Sequence, residues 1–232
     1  MATIQELHDF LDAQAPLRLQ MDYDNAGLLT GHPGQEIMGV LVSLDCTEDI
    51  IEEAVKTNCN VVVCHHPIIF RGLKRLTGSN YVERKVIKAI KNDIAILAWH
   101  TNLDSVLHHG VNSKIAERLG LQHLQILAPV DEDPQIGSGV IGDLARKMSR
   151  NEFFDHLAEC MELKTFKYTR GGSADFQKVD LCGGAGSFLI EAAKKAGADI
   201  YLTGDVKYHE FFDGEQDLCI ADIGHYESEK YT

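Results

Sequence analysis

The sequence predicts an α/β protein made of two similar halves. Three observations carry that expectation. Amphipathic segments with helical spacing alternate with short apolar runs, the pattern of strands and helices layered on a largely parallel or mixed sheet. The apolar runs end in clusters of polar, ligand-type side chains. And EEAVKTNCNVVVCHHPIIF in the first half is echoed by IEAAKKAGADIYLTGDVKYH in the second.

The elements follow in order. MATIQELHDFLDAQ reads as an acidic amphipathic helix with Ile4, Leu7, Phe10 and Leu11 on one side. A loop rich in Gly, Asp and Asn runs from Asp22 to Gly34, and MGVLVSLD then reads as a buried strand. TEDIIEEAVKTN is a helix with Thr47 as its N-cap and Ile50, Ile51, Ala54 and Val55 as its apolar stripe. NVVVCHHP is a strand, YVERKVIKAIKND a helix, IAILAWHT a strand, and residues 111–120 a helix ending at Gly120. The acids, prolines and glycines of APVDEDPQIGSG mark a boundary, giving one subdomain over residues 1–130 and a second over 131–232. Beyond it come a helix around 149–162, strands KTFKYTR and KVDLCGG, the helix SFLIEAAKKAG, and strands DIYLTGD and DLCIADIGH.

The echo extends past the strands. In each half a further apolar strand closes on a His with an acid four places later: His100 and Asp104 in HTNLD, His225 and Glu229 in GHYESE. A duplicated unit would bring both sets of strand ends to one cleft, where ligands bind in open α/β sheets.

With 232 residues the chain is long enough for a substantial core, and its formal charge of −13 argues against a broad nucleic-acid surface. The N-terminus lacks the basic start of a signal peptide, and no apolar run approaches the roughly 20 residues of a membrane span. The six cysteines (Cys46, Cys59, Cys64, Cys160, Cys182 and Cys219) form no CxxC pair and read as free thiols, so a reducing cytoplasm is the expected location.

Of eleven histidines, five fall at or just beyond expected strand ends: His65, His66, His100, His209 and His225. Pro67 biases His66 to extended backbone, on which adjacent side chains point to opposite sides. Two such imidazoles suit two neighbouring metal ions better than one, although a hydrogen-bonded structural pair is the competing reading. His225 and Glu229, four apart, share a helix face and can meet the same ion or ion pair. Asp104 follows a buried strand, where it either ligates or caps the next segment. Together these give three imidazoles and two carboxylates, a mixed set that admits zinc, iron, manganese, cobalt or nickel. Paired ions roughly 3.5–4 Å apart are a standard arrangement for hydrolysis. His100, Asp205, His209 and Glu210 are candidates for supporting this set, His100 and His209 as general acid or base. CGGAG, from Cys182 to Gly186, reads as a tight strand-to-helix turn, with a phosphate cradle as the alternative.

CHHPIIF, HTNLDS, GGAG, TGDVKYHE and especially DIGHYESE together resemble the Nif-three-like family, also called GTP cyclohydrolase 1 type 2 homologues. The resemblance runs from DNAGLLTG to the C-terminus. It implies two similar α/β subdomains of three-layer α/β/α character, a metal site in the cleft between them, and a toroidal homohexamer. It also implies a dinuclear ligand set at His65, His66, Asp104, His225 and Glu229, the same five that spacing selects. The family name implies GTP cyclohydrolase chemistry, which opens a purine ring with loss of formate. The short connection at residues 121–138 implies the compact form without an inserted domain, and compact members continue beyond the position of Thr232. A metal-dependent hydrolase acting on a nucleotide or related small molecule is the expected function. The alternative is a ring that binds metal without catalysis.

Overall fold

The computed structural model describes residues 1–130 and 133–232, which form two compact units, Met1–Leu103 and Asp104–Thr232. The boundary expected between residues 130 and 131 adjoins Asp131 and Glu132, which lie outside the described residues. The chain divides earlier because the strand before that point, β5 (Gln122–Pro129), pairs antiparallel with β6 (Gly137–Ser149) and so belongs to the second sheet.

The first unit opens with α1 (Ile4–Gln14), whose Thr3 and Glu6 make a reciprocal capping box. Then come β1 (Gly27–Thr30), β2 (Val40–Asp45), α2 (Glu48–Lys56), β3 (Val61–His66), α3 (Tyr81–Lys91) and β4 (Ala95–Ala98). α4 (Thr101–Asp104) follows and ends at the junction of the units. The strand order is β1-β4-β3-β2, with β2, β3 and β4 parallel and β1 antiparallel to β4. Thr47 caps α2 by accepting from Ile50 N, as its position before the apolar stripe predicts. Ile51 and Ala54 of α2 and Val86 and Ala89 of α3 bury against Val62, Cys64, Ile96 and Ala98 of the sheet. Each fully buried Ile or Val there stabilises the unit by roughly 1.5–3 kcal/mol. This core fixes the end of β3, and with it His65 and His66.

The second unit comprises α5 (Val111–Arg118), β5, β6, α6 (Arg150–Cys160), β7 (Lys167–Tyr168), β8 (Asp175–Ala185), α7 (Ile190–Ala196), β9 (Ile200–Gly204), β10 (Cys219–Asp222) and α8 (His225–Glu229). Its strand order is β5-β6-β8-β9-β10-β7, with β8, β9 and β10 parallel. Leu189, Ile190 and Ala193 pack on Cys182, Tyr201 and Ile220 to form its core.

The internal echo has a topological counterpart. β3 and β4 are parallel neighbours joined through α3, and β9 and β10 are parallel neighbours in the second sheet. A short helix follows each second strand, α4 after β4 and α8 after β10. His100 immediately precedes the first of these helices, and His225 opens the second.

Candidate metal centre

In the first unit His65, His66 and His100 converge. Their ring centroids lie 4.9 Å apart for His65 and His66, 5.1 Å for His65 and His100, and 5.4 Å for His66 and His100. One ligand atom from each falls within 4.8 Å of the others, close enough for the three to address one ion. Alternation along β3 therefore does not drive the two adjacent imidazoles apart, as extended geometry alone implies. They tilt toward a common point at the strand's end, with 59° between their planes.

Each of these rings is held by its Nδ1. His65 Nδ1 lies 2.8 Å from the carbonyl oxygen of Trp99. His66 Nδ1 lies 2.9 Å from Asp45 Oδ1, and the parallel register that pairs Asp45 with His66 puts that carboxylate there. His100 Nδ1 lies 2.8 Å from Asp24 Oδ1. Carbonyl and carboxylate oxygens only accept, so Nδ1–H must donate, and in the neutral ring the lone pair then sits on Nε2. Asp24, whose side chain is fully buried, also accepts from the backbone N of Thr101 at 3.1 Å and from its hydroxyl. Burial by itself pushes the Asp24 carboxyl up. The hydrogen bonds from His100 and Thr101 outweigh it and hold the group down at about 2.

The second unit repeats the device. His225 Nδ1 lies 2.8 Å from Asp205 Oδ2, and His225 Nε2 lies 3.2 Å from Glu229 Oε2. The i, i+4 spacing thus puts His225 and Glu229 on one face of α8, with Glu229 only 2 % exposed. The Glu229 hydrogen bond, aided by Asp205 and opposed by burial, raises His225 to about 9. Asp104 belongs to the same unit, and its backbone carbonyl accepts from Asn112 Nδ2 at 3.0 Å. Burial together with the negative charges of Asp104 and Glu229 pushes the Cys182 thiol up to about 12, so both carboxylates act on one locality.

The glycine run holds this arrangement rather than a phosphate. Gly183 N donates to Asn112 Oδ1 (2.8 Å), Gly184 N to Ser228 Oγ (2.9 Å) and Gly186 N to Thr203 Oγ1 (2.9 Å). These amides are committed to the scaffold, and the strand continues through Ala185. Of the other candidates, Glu210 caps its own turn by accepting from Lys207 N at 2.8 Å. His209 is exposed and packs against the rings of Tyr208 and Phe212. Asp24 and Asp45 escape the sequence reading. Asp45 was legible as the strand-end residue beside CHHP, whereas nothing short of tertiary structure links Asp24 to His100.

Imidazoles fixed through Nδ1, with carboxylates beside them, define a mixed α/β protein with the makings of a metal centre. The whole chain agrees with a known group: residues 2–232 match the model of the Duf34/NIF3 (NGG1p interacting factor 3) family. The chain belongs to that family. It is 32% identical over 228 residues to a Clostridium acetobutylicum protein named GTP cyclohydrolase 1 type 2 homolog, covering 97% of this chain and 85% of the relative. A Clostridium perfringens protein of the same name is 34% identical, with 97% and 86% covered. The crystal structure of a Bacillus cereus protein related to NIF3 superposes with a TM-score of 0.91 at 26% identity, covering 98% of this chain and 89% of that one. Among the described residues no helix is long and apolar enough to cross a membrane.

Proposed function

We propose that this chain is a metal-dependent hydrolase that holds two divalent ions with His65, His66, Asp104, His225 and Glu229 and acts on a nucleotide or related small molecule. The observation that supports it most is the engagement of Nδ1 in all four imidazoles, three by a carboxylate and one by a carbonyl. Protein metal ligands are oriented this way, and such partners also raise the basicity of the ligating nitrogen. The donor set fits the group: imidazole and carboxylate suit zinc, iron, manganese, cobalt or nickel, and no thiolate is among the five. Two such ions supply a water of lowered pKa and polarise the bond to be cut.

The chain's own residues do the rest. Asp45 and Asp205 lock the rings of His66 and His225 in one tautomer. Glu229, buried and beside His225, offers a second oxygen donor on the same helix face. His100, backed by the ionised Asp24, is built to hold a proton and return it, and it lies against His65 and His66. The nucleotide class comes from the names of the relatives. The family resemblance supports a homohexameric ring and the scattered cysteines support a reducing cytoplasm; the mass of the native particle tests the assembly.

The test is turnover. Metal-loaded chain is screened against GTP, other nucleotides and activated phosphate and carboxylate esters. The reading expects metal-dependent hydrolysis that Asp104→Ala and His225→Ala abolish and His100→Ala slows by about 100-fold or more. Stoichiometric metal with no turnover across the panel would instead establish the non-catalytic metal-binding ring.

A further inference from the structure

The strand that ends in His65 and His66 leads into a loop whose charge is opposite to that of the whole chain. No Asp or Glu occurs between Glu53 and Glu83, whereas that stretch carries Lys56, Arg71, Lys74 and Arg75 in a chain of net charge −13. Arg71, Lys74 and Arg75 are exposed, and among the described residues their side chains are in no ion pair or hydrogen bond. The cations of α3 differ: Arg84 pairs with Glu48, and Lys88 with Glu52.

The loop is anchored at both ends and in its middle. Pro67 and Ile68 are buried, Asn25 Nδ2 donates to the Ile69 carbonyl at 2.7 Å, and Leu73 packs on the core of the first unit. Beyond the loop, Glu83 accepts from the backbone N of Thr77 (2.9 Å) and of Ser79 (3.0 Å), and from the Asn80 side chain. Cations on a chain segment fixed this way need little ordering when an anion binds. Phe70, 49 % exposed, stands edge-on to the His100 ring with centroids 5.6 Å apart. The segment therefore begins with an aromatic ring against the histidine cluster and runs at once into three cations.

We propose that residues 70–75 recognise a nucleoside polyphosphate, with Arg71, Lys74 and Arg75 on its phosphates and Phe70 stacked on its base. What then happens to the ligand rests on the metal-centre reading; the loop supplies the residues that select it. Guanidinium forks take phosphate oxygens two at a time, and the Lys74 ammonium adds a point charge. From Phe70 to Arg75 the chain spans at most about 18 Å, which spreads the charges along an extended ligand. In an acidic chain, this patch also steers anions to the histidine cluster. Aromatic stacking tolerates any base, so the loop reads the number of phosphates and the presence of a base, not its identity.

Calorimetric titration of the full chain tests this, once in EDTA and once after dialysis against zinc, with guanosine, GMP, GTP and ATP as probes. In both forms affinity is expected to rise about 10-fold or more from GMP to GTP, with ATP matching GTP. The triple variant Arg71→Ala, Lys74→Ala, Arg75→Ala is expected to bind GTP about 100-fold more weakly, to lose that ordering and to keep its zinc. The charge-keeping pair Arg71→Lys, Arg75→Lys is expected to retain the ordering. Phe70→Ala should weaken GMP and GTP by the same factor, about 5- to 100-fold, and Phe70→Tyr should not. No rise from GMP to GTP, or natural GTP affinity in the triple variant, would overturn the proposal. So would tighter binding of a single-stranded oligonucleotide than of GTP, which would assign the loop to nucleic acid. A natural chain that takes up no zinc yet still orders GMP below GTP defeats the metal-centre reading and leaves the loop assignment standing.

Discussion

A methyl group added to Gly184 would lie 2.4 Å from Glu229 Oε1 and 3.4 Å from the His225 ring. Gly184 also has φ +64, a conformation costly for any residue with a Cβ. Gly184→Ala is therefore expected to destabilise the second unit by about 1–3 kcal/mol and to displace Glu229. Urea unfolding and metal content of the purified variant check the two parts separately. Unaltered metal content would show that the close approach does not seat Glu229.

Asp45 and Asp205 touch imidazole nitrogens that do not face the proposed ions. Replacing either with Ala is expected to lower metal affinity by about 10- to 100-fold while leaving the fold intact, since both are exposed at sheet ends. Competition with a chromophoric chelator measures it. Asp49→Ala, on the first turn of α2, is the control that should change nothing.

Asp24 carries a pH dependence. Its carboxyl sits at about 2 in the folded chain, below its ordinary value of 3.8. Folding therefore favours the ionised form. The stabilisation, up to about 2 kcal/mol, is fully present above pH 3.8 and is lost as pH falls through 2. Asp24→Asn is expected to unfold more readily at pH 6 and to lose less stability between pH 4 and pH 2. Circular dichroism during acid titration compares the slopes.

Asp180 has the opposite sign. It is fully buried in β8, neither of its oxygens has a hydrogen-bond partner among the described residues, and burial raises it to about 7 against a small opposing effect of Lys178. The folded chain keeps the proton that the unfolded chain gives up near 3.8, so stability falls as pH rises from 3.8 toward 7. The loss is on the order of 4 kcal/mol once complete. Asp180→Asn, which cannot ionise, is expected to be more stable than the natural chain at pH 8, with the gain shrinking toward pH 4. Denaturant midpoints at both pH values settle it.

The alternating core elements were legible because burial writes itself as periodicity. Thr47 before Ile50 and Ile51, and the run VVVC before His65, needed no tertiary information. β1 and β6 were not legible. Gly27–Thr30 sits in a loop-like composition, and β6 mixes glycines with Asp143, Arg146 and Lys147, since its neighbours β5 and β8 fix it from outside. At the site, the ligand-type residues announced themselves by following apolar strands. Asp24 reaches His100 across 76 positions, a pairing that only folding creates. His209 follows an apolar strand and so reads as a candidate acid or base, yet the turn after Asp205 leaves it on the surface among aromatic rings.

The proposed metal centre stands or falls on the His225–Glu229 pair. Zinc and manganese stoichiometry, measured by elemental analysis after equilibrium dialysis of the natural chain, His225→Ala, Glu229→Gln and His209→Ala, tests it most directly. The expected result is about two ions per natural chain, a clear loss in the first two variants, and no loss in His209→Ala. Full metal content in His225→Ala and Glu229→Gln would contradict the assignment.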